Sequence, residues 1–325
     1  MVGIEWQPDG ESLICGTVPA SRAAEPQPPR VPAGPNIQES EGLESPVRTY
    51  QDLLSNPYDE ALLEYYATVQ LTLVTVAGDL TPVGVPAIYA DISSSPDGQF
   101  WLVSTVKRPF SYLHPISSFP REIDVWNRAG AQVYSVAKIP LADNIPIEGV
   151  PTGRRSIRWR GNEPATLVWT EALDGGDPRT AAPYRDQLFA WSAPFDSSPR
   201  ELIKVQHRFS GMTDFSDPNL IVVTEMDRDR RWTRTLMHDQ REPNREPIVL
   251  VDRSLRDRYG DPGQLVAEVA SNGQRLVRQD GDWVYRSGAG ASPLGNLPFL
   301  DRQNLKSLAT ERLWRCQEGF YESVV

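Results

Sequence analysis

A recurring cassette constrains this chain most: a strand-like run, a tight Pro-Asp-Gly turn, and a second strand-like run. It occurs as Ile4-Glu5-Trp6-Gln7-Pro8-Asp9-Gly10-Glu11-Ser12-Leu13-Ile14 and again as Ile92-Ser93-Ser94-Ser95-Pro96-Asp97-Gly98-Gln99-Phe100-Trp101-Leu102-Val103. Proline presets the backbone of the first central residue, aspartate can accept from its own main chain, and glycine supplies a positive φ, so each turn predicts a hairpin. Weaker versions follow at Ile157–Trp159 with Ala165–Trp169, at Asp217-Pro218-Asn219 before Leu220–Val223, and at Leu265–Glu268 with Ser271-Asn272-Gly273 before Leu276-Val277. The starts at Trp6, Ser95, Trp159, Phe215 and Ala267 lie roughly 50 to 90 residues apart, a spacing that suits four-stranded blades carrying insertions. The expected class is all-β: a β-propeller portion of about four to five four-stranded antiparallel blades.

Between the cassettes the sequence is β-like. Strands are expected near 70–76, 101–106, 122–126, 132–137, 167–171, 187–191, 201–205, 233–237, 248–251 and 283–286, separated by Gly, Asp and Asn turns. No βαβ alternation appears, which argues against a parallel α/β sheet. Pro19 to Pro46, rich in Pro, Glu, Ser and Gly, cannot propagate a helix or fill a ladder and reads as an extended insertion. Thr49 to Thr68 is the one helical stretch; because Pro57 falls inside it, two short helices are expected, roughly 50–55 and 58–66. The whole of 1–325 is read as one propeller domain.

Composition excludes several classes. The formal net charge of −10 opposes nonspecific nucleic-acid binding, which depends on neutralising phosphates. No apolar run approaches the roughly 20 residues that span a bilayer. Cys15 and Cys316 sit near opposite ends of the chain and read as thiols rather than a disulfide, and neither a secretory leader nor an Asn-x-Ser/Thr site is evident, so a cytoplasmic location is expected. Asp174, Asp177 and Asp186 lack the loop spacing of a calcium site, and no metal or cofactor is expected. The tryptophans, including Trp101, Trp126, Trp169 and Trp191, occupy strand positions and read as packing between blades.

Several blocks carry a resemblance. Val31-Pro32-Ala33-Gly34-Pro35, Arg48-Thr49-Tyr50-Gln51-Asp52-Leu53-Leu54, Asn56-Pro57-Tyr58-Asp59, Arg108-Pro109-Phe110-Ser111-Tyr112, Pro120–Trp126, Pro140–Ile147, Asp174-Gly175-Gly176-Asp177, Arg234-Thr235 and Gly290–Pro293 occur in this order. Together they resemble the propeller half of the prolyl-oligopeptidase-like serine peptidases, in the glutamyl endopeptidase branch. The resemblance implies a propeller that admits peptides to a C-terminal α/β-hydrolase domain holding a Ser, Asp and His triad. The nucleophile of such enzymes stands in a Gly-x-Ser-x-Gly elbow. This sequence contains none, and His114, His207 and His238 are its only histidines. No catalytic residue is therefore assigned, and the chain alone is expected to be inactive, its hydrolase partner being absent or carried on another chain. Both ends read as cut from a longer propeller, with either poor solubility in isolation or a partner chain that completes the ring expected.

Selection of a glutamate side chain implies a cation, and guanidinium can grip two carboxylate oxygens. In Arg228-Asp229-Arg230-Arg231-Trp232-Thr233-Arg234 the resemblance makes Arg231 and Arg234 candidates; the plainer reading is a hairpin whose arginines pair with Asp227, Asp229 and Asp239. Arg154 and Arg155, ahead of Arg158-Trp159-Arg160, read as a turn pair that could steer peptides at a rim, or simply sit in a solvated loop or in interdomain salt bridges. The expected function is the non-catalytic, substrate-gating part of a peptidase. The alternatives are a stand-alone interaction propeller or an inactive remnant that lost its hydrolase domain, and a glycan-binding propeller, which would need paired carboxylates.

Overall fold

The Pro-Asp-Gly turns form as their chemistry dictates. In the first, Gly10 N donates to Gln7 O at 3.0 Å with Gly10 at φ 69°, while Asp9 Oδ1 accepts from the amides of Glu11 and Ser12 at 2.9 and 3.1 Å. In the second, Gly98 N donates to Ser95 O at 2.8 Å with Gly98 at φ 67°, and Asp97 Oδ1 accepts from Gln99 N at 3.0 Å. The structure is a computed structural model and describes residues 3–30, 50–51 and 53–324.

Among the described residues five antiparallel sheets of four or five strands follow one another, with two small two-stranded sheets beside the last. The first holds β1 (Glu5–Trp6), β2 (Ser12–Thr17), β3 (Val69–Thr75) and β4 (Leu80–Ala87), and the second β5 (Tyr89–Ser94), β6 (Phe100–Val106), β7 (Arg121–Asn127) and β8 (Gln132–Ile139). The third holds β9 (Arg155–Trp159), β10 (Thr166–Ala172), β11 (Asp186–Ser192) and β12 (Arg200–Val205). The fourth holds β13 (Arg208–Asp214), β14 (Leu220–Asp227), β15 (Trp232–Asp239) and β16 (Ile248–Ser254). In each of these four, sequence neighbours are sheet neighbours, the meander that serves as a propeller blade.

The fifth sheet departs from that pattern. Its leading position is split between β17 (Gln264–Leu265) and a later short strand, with the hairpin of β18 (Ala267–Val269) and β19 (Arg275–Val277) between them. That later strand, β20 (Gln279–Asp280), pairs with β21 (Trp283–Gly288), as does β17. After the hairpin of β22 (Ala291–Ser292) and β23 (Gly295–Asn296), β24 (Phe299–Asn304) and β25 (Thr310–Arg315) complete the sheet. The last cassette of the sequence is thus a small hairpin of its own, turned at Ala270–Gly273.

The helical expectation is corrected. One helix, α1 (Pro57–Ala67), replaces the expected two, and the described residues among 50–56 are not helical. Pro57 starts the helix rather than breaking it: a first-turn position needs no amide donor, and Asn56 caps by accepting from Tyr58 N and Asp59 N at 2.9 and 3.0 Å. Thr49, Asp52 and residues 31–46 of the Pro-rich stretch lie outside the described residues. Residues 19–30 lack regular structure and run against α1, with Arg22 Nη2 donating to Thr68 O at 2.8 Å and Tyr66 Oη donating to Glu25 at 2.6 Å. Arg108 holds α1 to the loop after β6, donating to Glu64 at 2.8 Å and Glu60 at 2.6 Å while lying over the Phe110 ring. No helix is long and apolar enough to cross a membrane among the described residues.

Two compact units divide the chain. The first comprises residues 1–159, 165–181 and 190–199, and the second 160–164, 182–189 and 200–325. In the first unit, Ile14, Leu71 and Val83 pack with Tyr89, Ile92, Trp101 and Val103. Trp101 donates to Gln7 Oε1 at 2.8 Å, and that oxygen also accepts from Ser94 Oγ at 2.9 Å and Arg128 Nη1 at 2.7 Å. Gly84, at φ 63°, lies where a methyl would collide with the Trp126 ring. Trp159, Trp169, Trp191 and Phe195 form an aromatic group, and Trp159 donates to Ser93 O at 3.0 Å. In the second unit β14 is apolar on both faces because both are covered. Val222 joins Met237, Leu250, Val277 and Val284, whereas Ile221 and Val223 join Leu188, Val205 and Leu236.

Candidate functional site: four arginines and their carboxylates

The β14–β15 hairpin decides the fate of two candidates. Asp227 pairs with Trp232, so residues 228–231 form the turn and the register sets Glu225 opposite Arg234, with Asp252 across from Arg234 on the other side. Glu225 is fully buried, and its Oε1 lies 3.2 Å from Arg234 Nη1, which also donates to Gln206 Oε1 at 2.9 Å. Asp252 Oδ2 stands 4.0 Å from Arg234 Nε. One guanidinium therefore serves two carboxylates, leaving little unmatched charge for a third. Nearby, Asp186 is likewise fully buried and takes Arg208 Nη1 at 2.6 Å and Phe209 N at 2.6 Å.

Arg231 is different. It closes the turn at φ 52°, its amide donating to Arg228 O at 3.2 Å and its carbonyl accepting from Leu255 N at 2.7 Å. Its side chain is exposed and makes no hydrogen bond or ion pair with a described residue. The aspartates expected to neutralise this cluster are distributed otherwise. Asp227 takes the Arg230 amide at 3.1 Å with the guanidinium 3.8 Å away, and Asp239 is gripped by Arg241.

In the first unit Arg154 lies 4.4 Å from the Trp169 ring centre and 5.6 Å from that of Trp191. It donates to Val136 O at 2.8 Å, and its Nε is 3.8 Å from Glu171. It is stacked and half-buried rather than presented on a solvated turn, a placement that favours guanidinium over ammonium. Arg155 begins β9 opposite Thr170 and is also half-buried. Asp174 accepts from Gly176 N at 3.0 Å, and Asp177 is held at about 2 by its hydrogen bonds from Arg179.

The three histidines lie in different surroundings, and the His114 amide donates to Ser111 Oγ at 3.1 Å. His114 lies edge-on to Tyr50, His207 Nδ1 is 4.0 Å from Asp227, and His238 Nε2 is buried without a hydrogen-bond partner. Burial pushes the His238 pKa below 6.5, partly offset by the charge of Glu246. Its effect on stability has a definite sign: as pH falls through 6.5 the unfolded chain takes up the proton first, so stability present above that value is lost below it. Urea unfolding at about pH 7 and about pH 5 should show a larger loss of stability for the native chain than for His238→Gln; equal losses would remove the assignment.

No family model matches the chain. A protein of Oryza sativa subsp. japonica named "Probable glutamyl endopeptidase, chloroplastic" is 37% identical over 331 residues, covering 98% of this chain and 35% of that protein. One of the same name from Arabidopsis thaliana is 36% identical over 329 residues, covering 98% and 34%. Over nearly its whole length the chain is similar to part of each of these two proteins. It spans about a third of the length of the curated relatives it matches. Among solved structures, prolyl oligopeptidase B of Galerina marginata is 11% identical with a TM-score of 0.48, covering 97% of this chain and 34% of that one. Both relatives are named chloroplastic, so the cytoplasmic expectation finds no support among them. The sequence reading missed Glu225 and Gln206 as partners of Arg234; placing the turn at 228–231 and counting outward brings Glu225 opposite Arg234.

Proposed function

We propose that this chain is the non-catalytic, substrate-admitting part of a glutamyl-endopeptidase-like serine peptidase. Peptide is the substrate, and an α/β-hydrolase domain supplies the serine, aspartate and histidine. The observation that carries this reading is the match of 98% of the chain to about a third of a glutamyl endopeptidase, by a sequence without a Gly-x-Ser-x-Gly elbow. The contribution to proteolysis is steric and electrostatic, through passage of extended peptides and attraction of acidic side chains. Arg231 is the guanidinium best suited to that attraction, because Arg234 is already matched by Glu225 and Asp252 and Arg154 is stacked on tryptophan.

The test exchanges this chain for the aligned segment of the rice relative. The chimera should cleave short peptides after glutamate, while the 325-residue chain alone should turn over none. In the chimera, Arg231→Met should raise KM for a glutamyl peptide about threefold to fivefold, as expected for one exposed ion pair, with kcat and the glutaminyl-peptide KM unchanged. Hydrolysis by the chain alone would overturn the non-catalytic reading, and an unchanged KM would remove Arg231.

A further inference from the structure

A cavity of about 400 Å³ opens in the second unit at the end of the fourth sheet opposite the 228–231 turn, beside the turns that follow β20 and β24. Its floor is apolar, made by Leu220, Met237, Ile248 and Leu305, side chains that belong to or pack on the core under the sheet. Its rim is charged, and the charges do not balance. Each lining cation is already held by a carboxylate. Arg241 Nη2 lies 3.0 Å from Asp217 and 2.7 Å from Asp239, Arg245 Nη1 lies 2.6 Å from Glu242, and Lys306 Nζ lies 2.8 Å from Asp282. Among the described residues, the lining charge left without an ion pair is the exposed carboxylate of Glu246. Asp217, through the backbone amide of Asn219, and Asp239, through Arg241, are both held below the ordinary carboxylate range and stay ionised in mild acid.

An apolar floor under a rim with one uncompensated carboxylate selects a ligand that is greasy along its body and positive at one end. A volume near the lower limit of small-molecule pockets admits an unbranched chain of about five carbons. A carboxylate ligand would meet cations that are already neutralised, and a neutral alcohol would leave Glu246 unmatched. We propose that this cavity binds an aliphatic ammonium, with the stem over Leu220, Met237, Ile248 and Leu305 and the charge at Glu246. The proposal does not rest on the peptidase reading, since it uses none of the four arginines.

The test is a ligand-observed NMR titration of the full 325-residue chain at low salt with n-pentylammonium, pentanoate and pentanol. Pentylammonium should bind saturably and pentanoate should not, with pentanol at least about fivefold weaker than the ammonium. Glu246→Gln, an exposed position whose change leaves the melting curve in place, should weaken the ammonium by about fivefold, and added salt should do the same. No saturable binding by about 20 mM, equal binding of pentanol, or an unchanged affinity in Glu246→Gln would each overturn the proposal. The source is read from a second arm with Nα-acetyl-lysine methylamide. Binding as tight as that of pentylammonium assigns the site to a lysine side chain of a peptide, and binding of the amine alone assigns it to a free amine.

Discussion

Replacing Trp101 by alanine is expected to lower the stability of the first unit by about 3–5 kcal/mol, the cost of deleting a fully buried aromatic side chain and leaving part of its volume empty. The indole is 0% exposed and packs among Ile14, Leu71, Val83 and Ile92 from the first two sheets. The loss extends beyond volume. Gln7 Oε1 would lose one of its three donors, keeping Ser94 and Arg128, and the Arg128 guanidinium would lose the ring whose centre it lies 5.2 Å above. Trp101→Phe keeps much of the packing and should cost about 1–2 kcal/mol. Urea unfolding followed by far-ultraviolet circular dichroism measures both. Against a typical total of about 5–15 kcal/mol, the alanine variant should unfold at a far lower midpoint. A loss below about 1 kcal/mol would contradict the burial of this side chain.

Arg234→Met is expected to cost about 3 kcal/mol in the isolated chain, because Glu225 would keep its charge in a fully buried position with its cation removed. The amide of His207 still donates to Glu225 Oε2 at 2.9 Å, which satisfies one oxygen but supplies no counter-charge. The double variant Glu225→Gln with Arg234→Met removes the stranded charge and should recover most of the loss, since a buried pair replaced as a whole costs far less than one partner removed. Arg231→Met should change stability by no more than about 0.5 kcal/mol, as for other exposed positions. The contrast separates the two arginines by a readout independent of activity. An Arg234→Met chain as stable as the native one would show that the pair does not hold the hairpin, returning Arg234 to the pool of substrate ligands.

Much of this architecture was legible in the residues. The expected strands all lie within or across observed ones, and the two full cassettes turn where Pro-Asp-Gly requires. The helix was misread because proline was taken for an interruption, when its missing amide and fixed φ are well suited to a first turn capped by Asn56. The last cassette, read as marking a blade start near Ala267, pairs with itself, because two short strands on either side of it take up the ladder to β21. The candidate arginines were found as types, since clustered charge is visible in a linear sequence. Their partners were not, because Glu225, Asp252 and Gln206 reach Arg234 only after three separate chain reversals.

By itself the sequence determined the positions of the Pro-Asp-Gly turns, the placement of most strands and the antiparallel meander. Those depend on φ preferences and a two-residue period that act over a few neighbouring residues. Tertiary structure alone decided which cations are neutralised and which remain available. Arg154 is consumed by Trp169 and Trp191, Arg234 by Glu225, while Arg231 stays exposed. Charge pairing acts through space over a few ångströms, and only the folded register sets which side chains come that close.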